Sequence, residues 1–141
     1  MTLFCDTSAL VKLVIEEPES AHMLRAANAA EWIAVCRITW AEAVAAMARR
    51  AREDPASADT IQQAREQLGL LWPSLLIVEV SQRLVETAGR FADVFALRGY
   101  DSVQLAAARE LDQSTDQPLT FACFDRRLKQ AASLLQLKVL V

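Results

Sequence analysis

The chain has 141 residues, of which 53% are hydrophobic, and a formal net charge of −3. This length is typical of one domain that buries an ordinary core. The acidic balance argues against a protein that binds nucleic acid through an overall basic surface. Any polyanionic substrate must therefore be met by a local basic patch or through bound cations.

The three cysteines are odd in number and show no C-x-x-C spacing. This pattern predicts buried thiols in a reducing cytosol rather than a disulfide framework or a zinc site. Pro73 and Ser74 interrupt the longest apolar stretch, residues 68–80, and no basic region precedes the first apolar run. We therefore expect no signal peptide or membrane span, and a single cytoplasmic domain over residues 1–141.

Short apolar runs alternate with longer helical patterns, which favours βα units and a mainly parallel sheet in an α/β fold. Strands are predicted at residues 3–6, 32–36, 75–80, 119–123 and 138–141. Helices are predicted near residues 8–15, 20–30, 40–52, 58–71, 82–97, 102–112 and 126–135. The fifth of these helices carries a stripe that we assign to core packing because its residues recur at helical spacing: Leu84, Ala88, Phe91, Ala92 and Phe95.

The first predicted strand ends on a carboxylate, Asp6. Ligands of open α/β sheets gather beyond the carboxyl ends of the strands, so Asp6 is placed to offer an oxygen ligand to a site. An Asp before Thr-Ser is also a common helix cap, and both roles remain open. Three further acids lie at or within a turn of a predicted helix start: Glu42, Asp101 and Asp125.

Helix capping also explains each of these acids singly. Thr39-x-x-Glu42 fits a capping box, and Asp101 and Asp125 suit N-caps. If the four acids converge, however, two unit charges at 4 Å repel by about 4 kcal/mol at an effective dielectric near 20. A divalent cation relieves that repulsion, and carboxylates without nearby His or Cys select Mg²⁺ or Mn²⁺. The single histidine, His22, is expected in a surface or packing role.

Four segments carry a resemblance to a known family: residues 6–12 (DTSALVK), Glu42 opening a mid-chain helix, residues 97–106 (LRGYDSVQLA) and residues 124–128 (FDRRL). Together and in this order, they resemble the PIN-domain nucleases, particularly the VapC toxins of bacterial toxin–antitoxin pairs, over essentially the whole chain. The resemblance implies a three-layer α/β/α sandwich with a mainly parallel sheet and a metal-dependent endoribonuclease activity on RNA. It also implies a cognate VapB-like antitoxin that blocks the site, and we expect a homodimer.

The resemblance assigns the acidic set to Asp6, Glu42, Asp101 and Asp125. Asp6 and Asp101 are expected as the principal direct ligands of Mg²⁺ or Mn²⁺. Glu42 and Asp125 are expected as direct or water-mediated ligands, or as groups that orient the attacking water.

Hydroxyl and basic side chains surround these acids in the sequence. Thr7 and Ser8 are expected to donate hydrogen bonds to Asp6 or to metal-bound water, to cap the first helix, or both. The basic residues near the motifs are candidates for RNA-phosphate contacts, with a solvated helix face as the alternative: Lys12, Arg98, Arg126, Arg127 and Lys129.

Two positions depart from the family's pattern. Cys123 falls where relatives often have Ser or Thr, so a hydroxyl that could help to hold a water or metal is missing. Gln104 falls where relatives often have His, which we expect to affect packing or substrate contact more than metal binding.

Other functions remain open at this point. One alternative is a PIN nuclease that acts in RNA processing or maturation. Another is a non-catalytic protein-binding domain in which the four acids only cap helices. The sequence around the acids does not suit a third function, that of a phosphatase or a phosphotransfer receiver. The arginine-bearing hairpin of residues 40–71 is a candidate clamp for an antitoxin segment, with Leu68, Leu71 and Trp72 expected to be available for partner or dimer contacts.

Overall fold

The computed structural model describes residues 1–141, which form five strands and seven α-helices. The strands are β1 (Thr2–Cys5), β2 (Trp32–Cys36), β3 (Leu76–Val78), β4 (Leu119–Ala122) and β5 (Lys138–Val139). The helices are α1 (Thr7–Val14), α2 (Ser20–Ala29), α3 (Thr39–Glu53), α4 (Ala58–Leu71), α5 (Gln82–Phe95), α6 (Gly99–Ser114) and α7 (Arg126–Leu134). None of these helices has the length and apolar character needed to cross a membrane.

The sheet is entirely parallel, with the spatial order β3-β2-β1-β4-β5. The chain therefore builds outward from β1 on one side and returns to begin the other side at β4. The carboxyl ends of β1 and β4 lie next to each other, with Cys5 aligned to Ala122. Such a change of direction is where α/β sheets place their ligands, and the segments that begin at Asp6 and Cys123 both start there.

Helices cover both faces of the sheet because successive strand residues point to opposite sides. Phe4 and Phe121 face a core formed with α5, α6 and α7, and their ring centroids lie 5.7 Å apart. Leu3 and Val35 face a second core formed with α1, α2, α3 and α4. The three-layer α/β/α sandwich is confirmed.

The stripe on α5 packs into the first core as predicted. Leu84 and Ala88 are buried, and Phe91 and Phe95 pack against the same cluster with ring centroids 5.8 Å apart. The three cysteines are buried and unpaired.

The main departures from the predicted elements lie at their ends. Cys5, not Asp6, is the last residue of β1, and β3 keeps only three of the six residues predicted for that strand. Helix α6 begins three residues early, at Gly99, since Arg98 is extended and the Ser102 hydroxyl bonds back to the Gly99 carbonyl.

The availability predicted for Leu68 is wrong, because α4 turns this side chain fully into the core between α1, α3 and the sheet. Its neighbour Leu70 is 76% exposed instead. Leu71 and Trp72 are partly buried, and Trp72 meets Trp40 edge to face at 5.2 Å between ring centroids. A partner that binds the α3–α4 hairpin would therefore contact the tryptophan pair and Leu70.

Candidate functional site

A cavity of about 340 Å³ lies at the carboxyl edge of the sheet and contains all four predicted acids. Asp6 precedes α1, Glu42 and Asp101 lie in the first turns of α3 and α6, and Asp125 precedes α7. The parallel topology thus brings together four carboxylates that are far apart in the sequence.

Asp6 is the most buried of these acids, with 5% of its surface exposed. Its Oδ1 accepts hydrogen bonds from the Ser8 hydroxyl at 2.7 Å and from the Ala9 amide at 2.9 Å, whereas Oδ2 accepts none. Burial raises the pKa of Asp6 to about 7 against these two hydrogen bonds, and the charges of Asp101 and Glu42 add to the rise. Asp6 is therefore both the N-cap of α1 and a poorly solvated carboxylate with one free oxygen.

Glu42 engages one oxygen and leaves the other free. Its Oε1 accepts the Thr7 hydroxyl at 2.9 Å and the Gln104 amide at 2.8 Å, while Oε2 accepts no hydrogen bond. The predicted capping box is wrong, because Ile38 precedes α3 and makes no side-chain cap. Thr39 instead accepts a hydrogen bond from Gln104 at 2.8 Å.

Asp101 makes no hydrogen bond through either oxygen. It is the third residue of α6, so its predicted role as an N-cap is wrong, and its nearest cationic atom is Arg98 Nε at 4.0 Å. Partial burial, and after it the charge of Asp125, raises the pKa of Asp101.

Asp125 caps α7, as the capping interpretation predicts. Its Oδ1 accepts the Leu128 amide at 2.9 Å, and Oδ2 accepts no hydrogen bond. Capping and a second role are therefore compatible for Asp125, as for Asp6, because each function uses a different oxygen.

The donor set suits a hard divalent cation. The cavity is lined by carboxylate, hydroxyl and amide groups and by the guanidinium groups of Arg50 and Arg98, with no imidazole or thiol. Oxygen donors without nitrogen or sulfur ligands favour Mg²⁺ or Mn²⁺ over zinc or copper. The four carboxylates share the cavity without closing on one point, since no three His, Cys, Asp or Glu side chains stand close enough to hold one ion. The free oxygens and the raised pKa values of Asp6 and Asp101 fit a cation that would offset the crowded negative charge.

The hydroxyls predicted to support the acids contact them directly. Thr7 donates to Glu42, and Ser8 donates to Asp6 while accepting the Phe124 amide at 3.2 Å. Ser8 thus ties Asp6 to the segment that leads to Asp125. Cys123, where a hydroxyl is missing, does not line the cavity, and burial raises the pKa of its thiol to about 12.

A second cavity, of about 490 Å³, adjoins the acidic one. Arg98, Asp101 and Asp125 line both cavities, whereas Arg126 and Arg127 line the second one and not the acidic one. Three of the predicted phosphate contacts therefore lie beside the acids.

The predicted phosphate contact Lys12 is engaged elsewhere. Its Nζ lies 2.9 Å from Glu17 Oε1 and 4.7 Å above the Phe124 ring, and Lys12 lines neither cavity. Lys129 also lies over the Phe124 ring, at 5.3 Å.

Sequence reasoning missed Glu17 and Arg50, which line the acidic cavity and pair with each other. A signal for Arg50 was present, because Glu42, Ala46 and Arg50 recur every four residues and so share one face of α3. Glu17 lies between α1 and α2 in a segment without periodicity and gave no such signal.

The largest cavity, about 1020 Å³, lies between α7 and the end of the chain and is lined by residues such as Phe124, Lys129 and Leu140. It contains no acidic side chain, so it offers no carboxylate pair for a cation. Size and chemistry therefore point to different places, and we assign the functional site by its chemistry.

The chain resembles known proteins along almost its whole length. Residues 3–134 match the model of the PIN domain family. Ribonuclease VapC49 of Mycobacterium tuberculosis is 30% identical over 130 residues, which cover 92% of this chain and 88% of the relative.

Solved structures share the fold at lower identity. A toxin–antitoxin complex from Klebsiella pneumoniae superposes with a TM-score of 0.63 at 20% identity, covering 89% of this chain and 87% of that one. VapBC2 of Rickettsia felis, bound to a DNA fragment from its promoter, superposes with a TM-score of 0.66 at 14% identity, covering 99% and 97%.

Proposed function

The chain belongs to the PIN domain family, and we propose that it is the endoribonuclease toxin of a VapBC-type toxin–antitoxin pair, dependent on Mg²⁺ or Mn²⁺. The relative at 30% identity is named a VapC ribonuclease, which supports hydrolysis of RNA. A cytoplasmic site of action accords with an RNA substrate.

One observation carries the proposal: the four predicted carboxylates line one cavity, together with Glu17, and this cavity adjoins a second one lined by arginines. Hydrolysis of an RNA phosphodiester requires the charge of the phosphate to be offset and a water to be activated. The acidic cavity is suited to the second task through a cation, and the arginine-lined cavity is suited to binding the RNA backbone.

Asp6 and Asp101 are the principal ligands in this proposal, with Glu42 and Asp125 as direct or water-mediated ligands. When bound, Mg²⁺ or Mn²⁺ supplies a more acidic water and charge compensation at the phosphate. The protein's own contribution is to hold the carboxylates in place: Ser8 fixes one oxygen of Asp6, and Thr7 fixes one oxygen of Glu42. The remaining oxygens are then available to the cation.

The basic side chains explain how an acidic protein can bind RNA. Arg126 and Arg127 lie at the start of α7, and Arg98 lies at the start of α6, all beside the acids. These contacts are to phosphates, so they position the RNA without reading its sequence. The alternative role for each arginine, a solvated helix face, remains compatible with its exposure.

The partner in this proposal is a VapB-like antitoxin. The Klebsiella pneumoniae structure is a toxin–antitoxin complex and the Rickettsia felis structure is VapBC2, and both share the fold of this chain. The α3–α4 hairpin offers the exposed Trp40 and Leu70 as apolar contacts, with the arginines of α3 nearby. We also propose that the toxin is a homodimer.

The experiment that tests this function is cleavage of a labelled RNA by protein purified from its antitoxin and treated with EDTA. We expect no cleavage until Mg²⁺ or Mn²⁺ is added back. Asp101→Asn is expected to stay inactive at every ion concentration, because it removes one of the two proposed principal ligands. The fold should stay intact, since the Asp101 carboxylate only faces Arg98 at 4.0 Å and its pKa is already raised by partial burial.

The matched control is Asp93→Asn, an exposed acid on α5 outside both cavities, which should cleave like the wild type. Cleavage that survives thorough chelation would point to a metal-free mechanism. Full activity of Asp101→Asn would remove the acidic cavity from the reaction.

A further inference from the structure

Gln104 lies where α6 passes beside the acidic cavity, and it is 98% buried. Its amide nitrogen lies 2.8 Å from Glu42 Oε1, 2.8 Å from Thr39 Oγ1 and 3.3 Å from Thr7 Oγ1. A buried amide of this kind connects the wall of the cavity to the core behind it.

The hydrogen atoms of the Gln104 amide determine what it does. The nitrogen carries two, and the two shortest contacts assign one to Thr39 and one to Glu42. Thr7 donates its own hydrogen to the same Oε1 of Glu42. Two donors from different elements, α1 and α6, therefore hold one oxygen of a carboxylate on α3.

The other end of the Gln104 amide shows that this arrangement has a cost. The Gln104 Oε1 is buried and has no hydrogen-bond partner. Turning the amide over would place this oxygen against the Glu42 carboxylate, where two acceptors repel, so the N–H end must face Glu42. A leucine of similar size would fill the space without an unpaired oxygen, and packing alone therefore does not explain Gln104.

We propose that Gln104 is a positioning residue for the acidic site: with Thr7, it holds Oε1 of Glu42 so that Oε2 is presented to the cavity. Gln104 is not itself a proposed ligand, and it acts through Glu42. This role rests on the proposed metal site, and it replaces the expectation from the sequence that Gln104 affects packing or substrate contact more than metal binding.

The test is a titration of EDTA-treated protein with Mn²⁺ at pH 8. Binding is measured by calorimetry and by the electron paramagnetic resonance signal of free Mn²⁺. Gln104→Leu is expected to raise the dissociation constant about tenfold, since lost support of a metal ligand typically costs 10–100-fold in affinity. Thr39→Val, which removes the other acceptor of the amide and does not touch Glu42, should change the constant by less than about threefold.

A double-mutant cycle separates positioning from a general loss of structure. In a Glu42→Ala background, Gln104→Leu should cause no further loss of Mn²⁺ affinity, because the residue through which it acts is absent. An undiminished loss in that background, or a Gln104→Leu protein with wild-type affinity, would overturn the proposal. If Gln104→Leu does not fold, Gln104→Asn replaces it, as its shorter amide cannot reach Glu42 and should give the same result.

The same titration distinguishes the two proposals. A wild-type protein that binds no Mn²⁺ contradicts the proposed metal site itself. A wild-type protein that binds Mn²⁺, beside a Gln104→Leu variant that binds it equally well, contradicts only the role of Gln104.

Discussion

Replacing Asp6 with Asn should stabilise the metal-free protein at neutral and alkaline pH and at the same time remove binding of a divalent ion. The carboxylate is 5% exposed, and burial raises its pKa to about 7. An asparagine amide oxygen can still accept the hydrogen bonds from Ser8 and Ala9 and is an equally good N-cap. The substitution therefore removes a costly charge and keeps the local structure.

The size of the effect follows from the pKa. The rise from 3.8 to about 7 corresponds to roughly 4 kcal/mol, at about 1.4 kcal/mol for each pH unit. Between about pH 4 and pH 7 the folded protein holds a proton that the unfolded chain has lost, so the free energy of unfolding of the wild type falls as pH rises. The gain from Asp6→Asn should thus be near zero at pH 4 and reach roughly 2–4 kcal/mol above pH 7.

The assay is urea unfolding of both proteins in EDTA at a series of pH values from 4 to 9. Adding Mn²⁺ at pH 8 should stabilise the wild type by mass action and leave Asp6→Asn unchanged. Asp93→Asn, an exposed control, should stay within about 0.5 kcal/mol of the wild type throughout.

Two results would refute this reasoning. Unfolding free energies of wild type and Asp6→Asn that stay parallel from pH 4 to pH 9 would show that Asp6 is not a destabilised carboxylate. Equal stabilisation of both proteins by Mn²⁺ would show that the ion binds elsewhere.

Three further predictions concern the surfaces around the site and the core. Replacing both Arg126 and Arg127 by Gln should weaken RNA binding in filter assays for all RNA sequences alike and reduce the salt dependence of binding. An unchanged salt dependence would exclude phosphate contacts by these arginines. Leu70→Asp should weaken binding of a co-expressed antitoxin, measured by co-purification, with little change in unfolding; a complex as stable as that of the wild type would place the antitoxin elsewhere. Leu68→Ala should lower the free energy of unfolding by about 2–5 kcal/mol in urea, and a loss below 1 kcal/mol would contradict its burial.

The fold could be predicted because its elements have strong periodicity. The buried strands around Phe4 and Phe121 are short apolar runs, and the α5 stripe repeats at helical spacing. Both patterns can therefore be recognised in the sequence without knowledge of the tertiary contacts. The end of β1 and the start of α6 depend on hydrogen bonds formed by Asp6 and Ser102. The sequence pattern therefore predicted these two element ends one and three residues away from their positions in the structure.

The convergence of the four acids could be predicted because parallel strands place their carboxyl ends at one edge, and Asp6 marks that edge in the sequence. The contacts that hold Glu42 could not. Gln104 lies 62 residues from Glu42, and its neighbours Leu105 and Ala106 give the helix an ordinary apolar pattern. Only the hydrogen bond found in the folded protein shows that the Gln104 amide faces the Glu42 carboxylate.

The most direct test of the central claim is a Mn²⁺ titration of the EDTA-treated protein, compared with an Asp6→Asn, Asp101→Asn double variant. If the acids form one site, the wild type should bind Mn²⁺ in a saturable manner and the folded double variant should not. If Asp6 and Asp125 were only helix caps and Asp101 were an unrelated acid, the wild type and the double variant would bind Mn²⁺ equally weakly. That equality would contradict a metal site at the carboxyl edge of the sheet.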